Sequence, residues 1–184
     1  PMGFSQNYAV LIKSLCLAYS RTEFGRAMGH HAEMLFTAAF ATVGFIPTAE
    51  NVREYKGSKW VETGHNLDRI FERDGVAYGT EIKNTLEYIE REELEIKLRM
   101  CEKLVVKPLF IIRMAPKSYI EMVRQAGGFS LIFKWQLYPF GQEGLARRVR
   151  ERFGLPVGCP QAIGQGTVGR FWKWHMKMQS QTGV

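Results

Sequence analysis

Hydrophobic and polar positions follow two different periods along this chain. Apolar residues recur every three or four positions over 6–20, 22–43 and 86–105, which predicts three amphipathic helices. Two shorter helices are predicted over 116–125 and 142–153. Short apolar runs predict strands over 51–55, on both sides of Asp74-Gly75, and over 109–112 and 129–137. The order of these elements predicts an α/β fold whose mixed sheet is flanked by helices on both sides.

A tight hairpin is the strongest local prediction. Asp74-Gly75 is typical of a two-residue type I′ turn, because both central residues of that turn need positive φ. Arg73 then faces Val76, and counting back along both strands places Asp68 opposite Glu81. Facing residues have Cβ atoms about 4.5–5.5 Å apart. Lys83 shares the face of Glu81, roughly 7 Å further along the strand.

Two facing carboxylates destabilise a strand pair unless a positive charge offsets them. A divalent cation does this well, and Mg²⁺ prefers carboxylate oxygens while keeping several waters. Lys83 adds a positive charge beside the place where an anionic phosphate would bind. Ile70, Gly79 and Ile82 lie between the charges and indicate that both faces of the hairpin are covered. The register therefore favours a metal site over the alternative, a solvated hairpin with scattered charges.

The pattern of Asp68, a turn and then Glu81-Ile82-Lys83 resembles the signature of the PD-(D/E)XK nuclease superfamily, which includes restriction endonucleases and archaeal Holliday junction resolvases. The resemblance covers about 23–139, and Leu67 stands where the family pattern often has proline. It implies a restriction endonuclease-like αβββαβ core and hydrolysis of DNA phosphodiesters that depends on Mg²⁺, with Mn²⁺ able to substitute. It also implies that Asp68 and Glu81 hold the metal and that Lys83 positions or activates the attacking water.

Further candidates lie near this motif. Glu33 borders the apolar stripe of the second predicted helix, and by the same resemblance it reaches the metal site; the alternative is a partly exposed helix glutamate. His30 and His31 precede it and favour a surface pair over a proton relay. Arg69 and Asn84 flank the motif residues in sequence and are candidate DNA contacts.

The charge balance favours a polyanionic partner. The formal net charge is +7, and phosphate contacts by Lys and Arg supply much of the affinity of proteins for nucleic acids. Arg147, Arg148 and Lys173 belong to a basic C-terminal extension at about 142–184 and are further candidate DNA contacts. The alternative is a solvated helix face. Residues 154–184 lack a clear strand pattern and are predicted to form an appended arm or a dimerisation element.

Composition narrows the remaining choices. Hydrophobic residues make up 46% and charged residues 23% of the 184 residues, which predicts one globular domain over 1–184. The three cysteines are widely spaced, which predicts no thiolate zinc site and a reducing, cytoplasmic location. No apolar run predicts a membrane span. The family resemblance makes a homodimer plausible. The alternative function is a non-catalytic DNA-binding or scaffold domain with the same fold, and a nuclease acting on RNA ranks lowest.

Overall fold

The computed structural model describes residues 6–19 and 21–182, and it confirms the predicted α/β class. In this part of the chain, six helices accompany a central sheet of five strands. The helices are α1 (Gln6–Tyr19), α2 (Thr22–Ala41), α3 (Arg91–Lys103), α4 (Lys117–Gln125), α5 (Glu143–Phe153) and α6 (Gln165–Thr182). The strands are β1 (Ile46–Val52), β2 (Glu54–Tyr55), β3 (Ser58–Lys59), β4 (Leu67–Arg73), β5 (Val76–Lys83), β6 (Lys107–Ile112), β7 (Phe129–Ile132), β8 (Gln136–Leu137) and β9 (Val157–Gly158).

The central sheet has the order β1-β4-β5-β6-β7 and is mixed. Strand β4 is antiparallel to both of its neighbours, β1 and β5. Strands β5, β6 and β7 run parallel to one another and are connected through α3 and α4. Helices α2 and α6 pack on one face of the sheet, and α3 and α4 pack on the other. Alternate residues of β6 show this division, since Leu109 and Ile111 face α2 while Phe110 and Ile112 face α4.

The hairpin of β4 and β5 has the predicted register. Asp74 and Gly75 form the turn with φ of 48° and 74°. The ladder pairs Arg73 with Val76 and continues in step to Arg69 and Thr80. The register prediction is therefore confirmed over this ladder.

Helix α3 lies unusually close to the hairpin at Gly79. A Cβ atom on this glycine would lie 3.0 Å from Cys101 Sγ of α3, 2.7 Å from Val106 Cγ2 just after that helix, and 2.7 Å from Leu67 Cδ1 of β4. Only a residue without a side chain allows this approach at the present spacing. The close packing brings the side chains of α3 over the charged positions of β5.

Several predicted boundaries are wrong. The range 51–55, expected to be one strand, is divided between the end of β1, which starts at Ile46 and includes Pro47, and the two-residue strand β2. Proline is tolerated there because β1 is an edge strand, and the register shifts between Pro47 and Ala49. The helix expected over 86–105 begins only at Arg91, and the strand expected over 129–137 is divided into β7 and β8.

The C-terminal segment does not form the predicted arm. Val168, Phe171 and His175 lie on the buried face of α6, and the first two belong to the main core with α2 and the sheet. His175 Nε2 lies 3.0 Å from Asp74 Oδ2, which connects α6 to the hairpin turn. Among the helices that the structure describes, none is long and apolar enough to cross a membrane.

Candidate active site

Asp68, Glu81 and Lys83 line a single cavity of about 360 Å³. It opens where β5 ends, on the face of the sheet that α3 covers. Its remaining wall comes from the loop before β4 and from α3; the lining residues there are Gly64, His65, Asn66, Glu93 and Lys97. The structure thus brings together the three residues that the hairpin register and the family resemblance singled out.

Glu81 is the most buried acid of the cavity, with only 2% of its surface exposed. Its Oε1 atom lies 3.1 Å from Lys83 Nζ, and its Oε2 atom lies 2.5 Å from Lys97 Nζ. The contact with Lys97 is an ion pair without hydrogen-bond geometry, so Oε2 has no hydrogen-bond partner within the described residues. Lys97 donates its hydrogen bond to the Asn66 carbonyl instead. Glu81 therefore keeps an unused acceptor site that faces positive charge.

Lys83 stays positively charged in this cavity. Burial by itself would lower the pKa of its ammonium group, but the charges of Glu81 and Glu93 outweigh that effect and raise the pKa above its ordinary value. Lys83 Nζ lies 2.8 Å from Glu93 Oε1, which is the closer of its two acidic partners. A charged ammonium group donates hydrogen bonds and stabilises negative charge, but it cannot accept a proton.

Asp68 is held in place at some electrostatic cost. Its Oδ2 atom accepts a hydrogen bond from the Ile82 backbone N–H at 2.6 Å. Burial, followed by the nearby charge of Glu81, nevertheless raises the pKa of the Asp68 carboxyl to about 7. With Asp68 ionised, the cavity lining contains three carboxylates and two ammonium groups. The excess negative charge favours a bound cation.

We expect Asp68→Asn to stabilise the metal-free protein at pH 8. The pKa of Asp68 is about 7 in the folded state and 3.8 in the reference state, so the protonated form is favoured by folding. The stability that the protonated Asp68 contributes to the folded state is fully present below pH 3.8 and is lost as the pH rises through 7. Asparagine keeps the neutral form at every pH and still accepts the hydrogen bond from Ile82. The gain at pH 8 should be at least about 1 kcal/mol.

Urea unfolding in EDTA at pH 4.5 and pH 8 measures this difference. The free energy of unfolding of the variant should be higher than that of the wild type at pH 8. The two values should be closer at pH 4.5. A variant less stable than the wild type at pH 8 would contradict the cost of ionising Asp68 that burial and the charge of Glu81 impose.

Glu33 and Arg69 lie outside the cavity. The Arg69 guanidinium is 3.9 Å from Glu33 Oε2 and 3.3 Å from Glu50 Oε2, on the side of the sheet that α2 covers. Glu33 acts on Asp68 only through its charge, as the last and smallest contribution to the raised pKa. Arg69 follows Asp68 on β4, and adjacent residues of a strand point to opposite faces of the sheet. The structure therefore places Glu33 with Arg69 and does not bring it to the Asp68–Glu81 pair.

Asn84 is not available to DNA, so its assignment as a DNA contact is corrected. Its side chain is buried and donates hydrogen bonds to the carbonyl groups of Met28 at 3.0 Å and Leu137 at 2.7 Å. Its Oδ1 atom accepts a third hydrogen bond from the Leu137 N–H at 2.8 Å. Asn84 instead fastens α2 and β8 to the end of β5, next to Lys83.

The basic candidates on α5 and α6 have exposed side chains. Arg147, Arg148 and Lys173 all face solvent, which agrees with either a DNA contact or a solvated helix face. His31 does not belong to a surface pair, because its ring is buried and lies 4.6 Å from the Phe140 ring between centroids. His30 is exposed.

Two charged residues of the cavity were missed from the sequence. Glu93 and Lys97 are four positions apart on α3, a spacing that places both on the same helix face. In the sequence, both residues were equally compatible with the solvated face of a highly charged helix. Only the packing of α3 against Gly79 shows that this face lies over β5.

Comparison with family models, curated proteins and solved structures found no match for this chain. Within the described residues, no group of three or more His, Cys, Asp or Glu side chains is arranged to hold a metal ion.

Proposed function

We propose that this chain is a Mg²⁺-dependent DNA endonuclease with a restriction endonuclease-like core. The observation that carries the proposal is the placement of Asp68 and Glu81 together with Lys83 in one open cavity at the end of β5. The succession of α2, β1, β4, β5, α3 and β6 also agrees with the αβββαβ order of that core. The net charge of +7 supports DNA as the substrate.

The carboxylates of the cavity fit a magnesium ion. Proteins bind Mg²⁺ through one or two carboxylates, with waters and substrate phosphates completing its coordination. Glu81 Oε2 is buried without a hydrogen-bond partner within the described residues, and the Asp68 carboxylate is destabilised by burial and then by the charge of Glu81. Asp68 and Glu81 would hold the ion, and Mn²⁺ suits the same oxygen ligands. When bound, such a metal polarises the scissile phosphate and lowers the pKa of a coordinated water.

The protein's own side chains then position the reactants. Lys83 is kept charged by Glu81 and Glu93, so it can donate hydrogen bonds to the attacking water and to a phosphate oxygen. Lys97 holds Glu81 from the buried side. The Ile82 N–H fixes the orientation of the Asp68 carboxylate. Donors that are already oriented need little reorganisation as charge develops on the phosphate.

Cleavage of supercoiled plasmid and branched DNA in Mg²⁺ tests the proposal. The wild-type protein should cut at least one of these two DNA substrates, and cleavage should stop when EDTA is added. Lys83→Ala should cut about 10²-fold more slowly, as expected for the loss of one positioned donor. Lys59→Ala is the matched control, since it removes the same charge from an exposed lysine on β3. Equal rates for the Lys83 and Lys59 variants would contradict the assigned role of Lys83.

A second candidate is a non-catalytic DNA-binding or scaffold domain. It is favoured by the ammonium groups beside both oxygens of Glu81, because these partners already offset much of the charge that a metal would neutralise. Such a domain would use exposed cations such as Arg147 and Arg148 and would bind DNA equally well with or without Mg²⁺. DNA binding by the wild type without any cleavage would select this candidate.

A further inference from the structure

The proposed mechanism leaves two polar side chains of the cavity lining without a role. The Asn66 amide already donates a hydrogen bond to Asn51 Oδ1 at 3.2 Å, so the side chain that remains is that of His65. It lies in the loop between β3 and β4, and it lines the cavity together with Asp68, Glu81 and Lys83. Its Nδ1 atom is 2.9 Å from Thr63 Oγ1. Its Nε2 atom makes no hydrogen bond within the described residues. The ring nitrogen that remains for a ligand is therefore Nε2.

The hydrogen bonds around Thr63 determine which nitrogen of His65 carries the proton. Thr63 Oγ1 accepts from the Trp60 indole N–H at 3.0 Å and from the His65 backbone N–H at 3.3 Å. A hydroxyl group has two acceptor positions and one proton. With both acceptor positions used, the Thr63 proton is left to donate to His65 Nδ1. Nδ1 is then an acceptor, so the neutral ring carries its proton on Nε2.

The loop that holds His65 is fixed at several points. Trp60 is 1% exposed, and its backbone N–H donates to the Arg53 carbonyl at 2.7 Å. The Arg53 guanidinium in turn donates to the Thr63 carbonyl at 2.9 Å. On the cavity side, the Asn66 carbonyl accepts a hydrogen bond from Lys97. A donor on such a loop is oriented before any ligand binds.

We propose that His65 is a substrate-binding residue whose Nε2–H donates a hydrogen bond to a non-bridging oxygen of the scissile phosphate. The role rests on the proposed nuclease function. The proposed role transfers no proton. A fixed donor of this kind stabilises the charge that develops on the phosphate oxygens. It would complement Lys83, which contributes a full positive charge to the same cavity.

The tautomer can be measured without any activity. Two-bond ¹H–¹⁵N correlation spectra of histidine-labelled protein at pH 7.5 should show that His65 carries a proton on Nε2. Thr63→Val should remove that preference, while Thr63→Ser should keep it, because serine retains the hydroxyl. An Nε2 atom without a proton, with the proton on Nδ1 instead, would overturn the proposal.

Single-turnover cleavage tests the phosphate contact. His65→Ala should lower the single-turnover rate constant by about 10²-fold. His65→Gln should recover part of that loss through its amide N–H. The thermal unfolding of both variants should match that of the wild type. The decisive substrates carry sulfur in place of one non-bridging oxygen of the scissile phosphate, prepared as separate diastereomers.

For one diastereomer only, the ratio of wild-type to His65→Ala rates should fall towards one, because sulfur is a poor hydrogen-bond acceptor. An equal His65→Ala defect on the unmodified DNA and on both diastereomers would overturn the phosphate contact while leaving the nuclease function intact. Absence of cleavage by the wild type would instead overturn the nuclease function, and the phosphate role with it.

Discussion

Glu81→Gln should lower Mg²⁺-dependent cleavage by about 10⁴-fold, a loss of about 5 kcal/mol in transition-state stabilisation. The amide keeps the size of the side chain but removes the negative charge that would bind the metal. It also leaves Lys83 and Lys97 without their common acidic partner at 3.1 and 2.5 Å. Single-turnover rates across a range of Mg²⁺ and Mn²⁺ concentrations measure the effect. The loss should persist at saturating metal if both binding and orientation of the ion depend on Glu81.

Glu54→Gln is the matched control for this experiment. It makes the same chemical change at an exposed glutamate of β2, whose partner Lys59 lies 3.8 Å away. The control should cleave at the wild-type rate. Calorimetric titration with Mg²⁺ should show weaker binding for the Glu81 variant alone. Retention of wild-type cleavage by Glu81→Gln would refute the metal site.

Lys97→Met should lower the free energy of unfolding by about 3–5 kcal/mol, the usual result of removing one partner from a buried ion pair. Lys97 is 3% exposed and contacts a glutamate that is 2% exposed. Methionine fills a similar volume but leaves the Glu81 carboxylate with Lys83 as its remaining ammonium partner. Urea unfolding in EDTA at pH 7.5 measures the change. Lys103→Met, at an exposed position of the same helix, should have little effect.

The double variant Lys97→Met, Glu81→Gln separates the charge from the packing. If the cost of Lys97→Met arises from an uncompensated buried charge, removing that charge should restore a large part of the stability. A coupling energy above about 1 kcal/mol is expected between the two changes. Strictly additive losses would show that Lys97 stabilises the protein through its packing and its hydrogen bond to Asn66 rather than through Glu81.

The part of the candidate site that lies within the hairpin could be predicted from the sequence. Asp74-Gly75 permits one turn geometry, and that geometry sets the pairing of every residue along β4 and β5. The positions of Asp68, Glu81 and Lys83 on one face follow from the alternation of side chains. All of this information is local, because it depends on a two-residue turn and a fixed period.

The part of the site that comes from other elements could not be predicted in the same way. Glu93 and Lys97 lie over β5 only because Gly79 lets α3 approach closely, and a helix pattern does not show which strand it will cover. Asn84 looked like an exposed polar residue, but its amide is used by the backbone of α2 and β8. Such contacts join residues that are far apart in sequence.

Helix α6 was missed although its pattern is present. Val168, Phe171 and His175 have the three- and four-residue spacing of a buried helix face. Gly164, Gly166 and Gly169 suggested an irregular segment instead, since glycine is a poor helix former. Tertiary packing of the aromatic face outweighs that local preference.

The two-residue turn at Asp74-Gly75 limits how this chain can change during evolution. Surface hairpin loops usually tolerate insertions and deletions, because their length has little effect on the core. Here a single added or lost residue that moved the register by one position would turn Asp68 or Glu81 to the opposite face of the sheet. The length of this loop is therefore as much a requirement of the candidate site as the acidic residues themselves, although the turn lies at the far end of the hairpin.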